Sequence, residues 1–135
     1  MSSFHVLDAH ILIWFLEGNG RLSRDAQAIL DDRDSRLIVP VTALAEACMA
    51  VERGRTRLTS YAKLLSAVTG DPRVELLALD GEIVSDAASL TALADLHDRF
   101  LVASVRVLMR RTGTAIVLLT NDREIVSSRL VDVLQ

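Results

Sequence analysis

Four carboxylates of the sequence stand next to apolar segments, where an unsatisfied charge is costly. Asp8 ends the apolar run that begins at Phe4, and Asp122 follows the run "AIVLLT". Glu46 lies just beyond "RLIVP", and Asp98 stands directly before "RFLVASV". If folding brings such carboxylates together, their repulsion raises their pKa values unless a cation neutralises them. Mg²⁺ and Mn²⁺ prefer oxygen ligands of this kind, and they assist phosphodiester hydrolysis by activating water and stabilising the leaving oxygen.

Strand and helix patterns alternate along the chain, with Gly, Pro or polar residues between them. Short apolar runs predict strands at 4–9, 36–40, 74–79, 115–120 and 130–134. Helical spacing, caps and stop signals predict helices at 11–18, 23–32, 42–54, 60–69, from Asp80 onward, and 98–113. The alternation predicts an α/β fold, a three-layer α/β/α sandwich with a central parallel sheet of about five strands. We expect a single domain over residues 1–135.

The predicted sheet places the four carboxylates at one of its edges. All strands of a parallel sheet end at the same edge, and ligand sites lie there. Asp8 and Asp122 each follow a strand, and Glu46 lies in the opening turns of the helix after the second strand. The helix that Asp98 opens returns to the 115–120 strand, so it begins at that edge as well. We therefore expect these four residues to converge.

Each carboxylate also has a purely structural interpretation. Positions 98, 101, 102, 105 and 109 form one helical stripe, so Asp98 either tops a buried face or caps the helix. Asp8 can belong to a turn, Glu46 can lie on a solvated face, and Asp122 can cap the helix that follows it. The neighbouring face of the 98–113 helix carries arginines at 99, 106 and 110, and we expect that face to be solvated.

Composition limits the classes of protein that fit. Half of the 135 residues are hydrophobic, which suggests an apolar surface buried in an oligomer. The 18 acidic and 15 basic residues give a net charge of −3, so the overall field does not attract nucleic acid, and a phosphate site must be local or metal-mediated. Cys48 is the only cysteine, and the start "MSSFHVLD" lacks signal-peptide features, so we expect a cytoplasmic protein with no membrane span.

The four carboxylates lie in segments that resemble the motifs of the PIN domain ribonucleases, most closely the VapC-type toxins of bacterial toxin–antitoxin pairs. "HVLDAHILIWFLEG" is similar to the first motif, with Asp8, and "IVPVTALAEACMAVERG" is similar to the second, with Glu46. "LHDRFLVASV" resembles the third, with Asp98, and "LLTNDREI" resembles the fourth, with Thr120 and Asp122. The resemblance implies that Asp8, Glu46, Asp98 and Asp122 are catalytic ligands of Mg²⁺ or Mn²⁺. It also implies an RNA substrate, a cognate antitoxin and a homodimer.

One position departs from the family pattern, because Ala9 stands where relatives often carry a hydroxyl residue beside the first aspartate. A hydrogen bond from that side chain is therefore absent. His10 and His97 adjoin two of the carboxylates, and we treat them as secondary candidates for contacts to phosphate or to metal-bound water. Thr120 is a third secondary candidate.

Other charged residues have ordinary structural interpretations. Asp80 follows a strand that the family resemblance places at the sheet margin, so we expect it to cap a helix. We expect Asp86 and Asp95 to be solvated acids of a helix or loop. Two arginine tracts, at 53–57 and 106–111, are either solvated faces or phosphate contacts.

Two further functions compete with a metal-dependent endoribonuclease. His10 and His97 can serve as base and acid in a metal-free ribonuclease, which EDTA would not inhibit. Alternatively, the chain is a catalytically inactive PIN-like binding or scaffold module whose acids only cap helices. Mn²⁺ should raise the melting temperature if the carboxylates cluster, and it should have little effect on such a module.

Overall fold

The computed structural model describes residues 4–135. Within that range the sheet has five strands: β1 (Phe4–Leu7), β2 (Arg36–Pro40), β3 (Val74–Leu77), β4 (Val117–Leu119) and β5 (Val133–Leu134). The helices of the same range are α1 (Ala9–Glu17), α2 (Arg24–Asp31), α3 (Val41–Glu52), α4 (Tyr61–Gly70), α5 (Gly81–Ser89), α6 (Leu96–Thr112) and α7 (Arg123–Ser128). None of these helices is both long enough and apolar enough to cross a bilayer.

The sheet is parallel throughout and has the strand order β3-β2-β1-β4-β5. Val6 of the central strand pairs with Ile38 on one side and with Leu118 on the other. This register aligns the carboxyl ends of β1, β2 and β4, from which the chain continues into α1, α3 and α7. The predicted parallel sheet and the marginal position of β3 are confirmed.

Two apolar cores cover the two faces of the sheet, because successive side chains of a strand point to opposite faces. Leu7 packs with residues of α1, α2, α3 and α4, whereas its neighbour Val6 packs with residues of α5, α6 and α7. Ala47 of α3 and Val102 of α6 are fully buried representatives of the two cores. The three-layer α/β/α sandwich predicted from the sequence is therefore confirmed.

The start of α6 differs from its prediction. The helix begins at Leu96 rather than at Asp98, and its N-cap is Asp95, whose side chain accepts a 3.1 Å hydrogen bond from the Asp98 backbone N–H. Two acids three residues apart both fit the pattern of a helix start, and the sequence alone does not show which of them caps. Because Asp95 is the cap, the carboxylate of Asp98 is free for another role.

The arginine face of α6 is less solvated than predicted, since part of it packs against α5: Arg110 is exposed, whereas Arg99 and Arg106 are half-buried. Arg106 and Arg110 both donate hydrogen bonds to Asp86, at 2.8 and 3.0 Å, and the Asp86 side chain is only 7% exposed. Arg99 donates to the Leu93 carbonyl. The expectation that Asp86 is a solvated acid is therefore wrong, because its partners lie on a different helix.

The end of β3 also differs, since the strand stops at Leu77 and not at 79. Leu76 and Leu79 are about 40% exposed, because β3 is an edge strand with one paired side. Asp80 then caps α5 by accepting a 3.0 Å hydrogen bond from the Ile83 N–H, as predicted. Arg111 also donates to the Asp80 carboxylate, so this acid and the second arginine tract are linked.

Candidate functional site

All four predicted carboxylates line one small cavity at the carboxyl edge of the sheet. The cavity has a volume of about 50 Å³, and its lining includes Asp8, Glu46, Asp98 and Asp122. In the part of the chain that the structure describes, no Lys or Arg side chain lines it; the other lining residues are His10, Thr42, Ala43, His97 and Leu101. The convergence expected from the sheet geometry is therefore found.

Asp8 is the most enclosed member of the group, with 8% of the residue exposed. It occupies the N-cap position of α1, yet its side chain accepts no capping hydrogen bond. The Thr120 hydroxyl donates a 2.5 Å hydrogen bond to Asp8 Oδ2, and the Asp122 backbone N–H donates to the same hydroxyl oxygen. Burial raises the pKa of Asp8, although the bond from Thr120 opposes the change. Thr120 thus supplies a hydroxyl contact that Ala9 does not provide.

Glu46 lies in the second turn of α3 and is half-buried. Burial raises the pKa of its carboxyl group, and the nearby charge of Asp8 raises it further. The neighbouring His97 and His10 act on the pKa of Glu46 in the opposite direction. The side chain therefore does not lie on a freely solvated face, which was its alternative interpretation.

Asp98 tops the buried stripe of α6, where Leu101 and Val102 are 5% and 0% exposed. Burial, followed by the charges of Asp122 and Asp95, raises the pKa of the Asp98 carboxyl to about 7. At neutral pH this group is therefore divided between its protonated and its charged form. A cation beside it would favour the charged form.

Asp122 combines a capping role with a position at the cavity. Its Oδ1 accepts hydrogen bonds of 2.9 and 3.0 Å from the backbone N–H groups of Glu124 and Ile125, so it caps α7. Its Oδ2 accepts no hydrogen bond within residues 4–135. The structural and functional interpretations are compatible, because one oxygen caps the helix while the other is available to a ligand.

The donor set suits a hard divalent cation. Carboxylate oxygens are the preferred ligands of Mg²⁺ and Mn²⁺, and among the described residues no Lys or Arg side chain lines the small cavity itself. In the conformation of residues 4–135, however, no three His, Cys, Asp or Glu side chains form a complete set of metal ligands. Like charges without a cation repel one another. The carboxylate side chains would therefore have to rotate toward one another to bind an ion.

A second opening adjoins the carboxylates and contains residues that the sequence analysis did not assign to the site. It has a volume of about 400 Å³, and Asp95, Arg123 and Glu124 line it together with Glu46, Asp98 and Asp122. The charges of Asp95 and Glu124 both raise the pKa of Asp98. Asp95 is exposed, but the expectation of a merely solvated acid is incomplete, because it caps α6 and adjoins the site. Its spacing of three residues from Asp98 is the available sequence signal.

Both secondary histidines lie at the mouth of the cavity. His10 and His97 are exposed, and each lines the same cavity as the four carboxylates. The His10 ring also lies 6.1 Å from the ring of Trp14, in a tilted arrangement. The two side chains are therefore positioned to meet a ligand that enters from solvent.

Comparisons with known proteins agree with this arrangement. Residues 5–128 match the sequence model of the PIN domain. No curated protein sequence gives a significant match. Among solved structures, VapBC-1 from nontypeable Haemophilus influenzae aligns with a TM-score of 0.67 and 16% identity, covering 100% of this chain and 98% of the other.

Two further structures have a similar fold. A toxin–antitoxin complex from Klebsiella pneumoniae aligns with a TM-score of 0.66 and 14% identity, over 97% of this chain and 96% of the other. The PIN domain of T. brucei RRP44 aligns with a TM-score of 0.55 and 14% identity, over 99% of this chain and 76% of the other. Because the domain match spans nearly all of the sequence, the chain belongs to the PIN domain family.

Proposed function

We propose that this protein is an endoribonuclease whose activity depends on Mg²⁺ or Mn²⁺ held by Asp8, Glu46, Asp98 and Asp122. The observation that carries the proposal is the shared cavity, in which four carboxylates from separate segments meet and which no Lys or Arg side chain of residues 4–135 lines. A purely structural role does not explain why a fold would gather uncompensated charges in this way. Membership of the PIN domain family supports a nuclease activity.

The side chains of the site have distinct roles in this proposal. When bound, the ion supplies positive charge that activates water and stabilises the phosphodiester as it is cleaved. Thr120 is a positioning residue, because its hydroxyl orients Asp8 through Oδ2. Asp122 presents Oδ2 to the ion while Oδ1 remains fixed by the backbone of α7. Asp98 must release its proton to become a ligand, which links ion binding to pH.

We also propose a protein partner, so that the chain is the toxin of a toxin–antitoxin pair and a cognate antitoxin inhibits it. The support is the fold similarity to a toxin–antitoxin complex from Klebsiella pneumoniae and to VapBC-1 from nontypeable Haemophilus influenzae. A homodimer is part of the same proposal. Its support is a set of exposed large apolar side chains, namely Met49, Tyr61, Leu76, Leu79, Val84 and Leu96.

The decisive experiment measures RNA cleavage by purified protein with EDTA and then with added Mn²⁺. We expect EDTA to stop cleavage and Mn²⁺ to restore it. Asp8→Asn, purified in parallel, controls for a contaminating nuclease and should be inactive. Cleavage that persists in EDTA would instead favour the metal-free mechanism through His10 and His97, which both line the cavity. No cleavage of any RNA by folded protein would favour the inactive binding module.

The partner proposals have separate tests. Co-expression with a short reading frame adjacent to the gene should give a stable complex and should suppress both toxicity and RNA cleavage. Light scattering of the isolated protein should give the mass of a dimer. A monomeric mass across the micromolar range would contradict the dimer without affecting the nuclease proposal.

A further inference from the structure

A groove of about 610 Å³ runs between α1 and α3 and opens beside the carboxylates. One wall is a stripe of α1 with His10, Trp14 and Glu17, and the other is a stripe formed by Glu46 and Met49 of α3 and by Arg53, its C-cap residue. Both stripes follow the spacing of three to four residues that places side chains on one helix face. His10 and Glu46 also line the small acidic cavity, so the groove and the cavity are continuous.

The far end of the groove is basic. Arg53, Arg55 and Arg57 line it, and all three are exposed. Their guanidinium groups form no hydrogen bond or ion pair with any part of the chain in residues 4–135. Arg21 completes this end, with its guanidinium 5.8 Å from the centre of the Trp14 ring. Arginines without protein partners are available to an anionic ligand.

The loop that carries these arginines is held in place from both sides. At the end of α3, Gly54 has a φ of 70°, and the N–H groups of Gly54 and Arg55 donate to the carbonyls of Val51 and Ala50. This Schellman-type arrangement turns the chain toward α1. Glu17 of α1 then accepts a 2.5 Å hydrogen bond from the backbone N–H of Arg57. The arginines therefore project from an ordered loop.

We propose that this groove binds a single strand of RNA and leads it from the arginine loop to the carboxylates. The inference rests on the proposed nuclease function and specifies how its substrate approaches. His10 and Glu17 are seven helical positions apart, about 10 Å, so one strand can reach both ends of the groove. Arginines position phosphates without reading base sequence. An acidic peptide fits less well, because its carboxylates would be repelled by those of Glu46 and of the cavity.

Binding of a fluorescein-labelled single-stranded RNA of about 12 nucleotides and mixed sequence tests the proposal. All variants are made in the Asp98→Asn background, called the parent, and are measured in Mn²⁺. This background should leave the probe uncut. Arg53→Gln/Arg55→Gln is compared with Arg24→Gln/Arg33→Gln, which removes the same charge from exposed arginines outside the groove. Loss of two phosphate contacts should reduce the slope of log affinity against log salt by about 1.4. The control pair should leave that slope unchanged.

Several results would overturn the groove proposal. They are equal slopes for the two double variants, no RNA binding by the parent at low salt, or a groove variant that loses only the antitoxin complex. Cleavage assays in the wild-type background keep the two proposals separate. If the groove variant cleaves RNA with an unaltered KM, only the groove proposal is contradicted. If the wild type binds RNA through the arginines but does not cleave it, only the nuclease proposal is contradicted.

Glu17 provides a sharper test. Loss of its negative charge should strengthen RNA binding, whereas loss of its hold on the position of the arginine loop should weaken RNA binding. Glu17→Ala removes a negative charge but also the acceptor of the Arg57 N–H, so we expect RNA binding to weaken several-fold. Glu17→Gln removes the charge and keeps an acceptor oxygen, so it should bind RNA at least as tightly as the parent. Tighter binding by both variants would show that the loop position is irrelevant and would overturn the role of Glu17.

Discussion

The carboxylates around the acidic cavity and those paired with arginines experience opposite electrostatic surroundings. At the cavity, burial raises the pKa values of Asp8 and Asp98, and neighbouring carboxylates add to the effect. On α5, burial also acts to raise the pKa of Asp86, but hydrogen bonds from Arg106 and Arg110 outweigh it and hold that pKa below its usual value. Burial alone therefore does not distinguish the two groups, whereas the presence of a cationic partner does.

This difference shows where the fold retains an uncompensated charge. The chain has 15 basic residues, yet the described side chains of none of its Lys or Arg residues line the 50 Å³ cavity. Charges left in this state destabilise the native protein at neutral pH unless something binds them. We infer that the uncompensated charges of the cavity lower the stability of the protein but allow it to bind a cation. The Asp86 cluster, in contrast, contributes only to packing of α5 on α6.

The largest expected effect is a difference in RNA cleavage between variants of the two groups of carboxylates. Asp98→Asn should lower RNA cleavage at least ~100-fold, because even residues that only support metal ligands cost 10- to 100-fold. Asp86→Asn is the matched control, since it makes the same chemical change in a buried aspartate away from the cavity. Initial rates at saturating Mn²⁺ measure the difference. Similar rates for the two variants would remove the functional distinction between the groups.

Metal binding should stabilise only proteins with the intact cavity. A ligand at about 100 times its Kd adds roughly 2.7 kcal/mol to the free energy of unfolding, which raises Tm by several degrees. Wild type and Asp86→Asn should both show this increase in Mn²⁺, although from different starting temperatures. Asp98→Asn should lose most of it. Thermal melts with EDTA and with Mn²⁺ provide the measurement, and a shift that Asp98→Asn fully retains would contradict the metal site.

In EDTA the same substitutions should change stability in opposite directions. Asp86→Asn removes the negative charge and one of the two carboxylate oxygens that accept from Arg106 and Arg110, and it should lower the free energy of unfolding by about 1–3 kcal/mol. Asp98→Asn removes a charge from a repelling group, so stability should stay constant or increase. Urea unfolding at pH 7 measures both values. A large loss for Asp98→Asn would show that its carboxylate stabilises the native state without metal.

A smaller effect is expected when the positioning residue of the cavity is changed. Thr120→Val keeps the shape of a fully buried side chain but removes the hydrogen bond to Asp8. Because this bond lowers the pKa of Asp8, its loss should raise that pKa and weaken Mn²⁺ binding by about tenfold. Isothermal titration with Mn²⁺ checks the change, and Thr120→Ser is the variant expected to restore affinity.

Without metal, stability should also depend on pH. The folded-state pKa of Asp98 is about 7 against a usual value of 3.8, so the folded protein binds this proton more tightly. The contribution of Asp98 to stability therefore falls as pH rises between about 4 and 7. Asp86 has the opposite sign, because its contribution is lost as pH falls through its lowered pKa. Urea midpoints of wild type and Asp98→Asn should diverge across this window, and parallel curves would contradict the raised pKa.

Sequence patterns were sufficient for the architecture because the signals were local. The runs that form β1, β2 and β4 are almost entirely buried, and Ser23, Ser60 and Asp80 cap helices as their neighbours indicate. Strand ends in a parallel sheet then determine which carboxylates meet. The convergence of the four acids followed from that geometry, although their chemical role remains a prediction.

Other features depended on contacts between distant segments, which local patterns do not contain. Asp86 looks like any helix acid until α5 packs on α6 and brings Arg106 and Arg110 to it. The order of the 53–57 loop depends on Glu17, 40 positions from Arg57 in the sequence.

The contact between Thr120 and Asp8 joins residues 112 positions apart in the sequence. Such pairings give a high contact order, and proteins dominated by them fold slowly because distant segments must meet before any contact stabilises them. A chain emerging during synthesis has Asp8 from the beginning but lacks Asp122 until nearly all of the sheet has been made. We expect partial chains to be inert, so that the proposed nuclease activity would arise only after synthesis has almost finished.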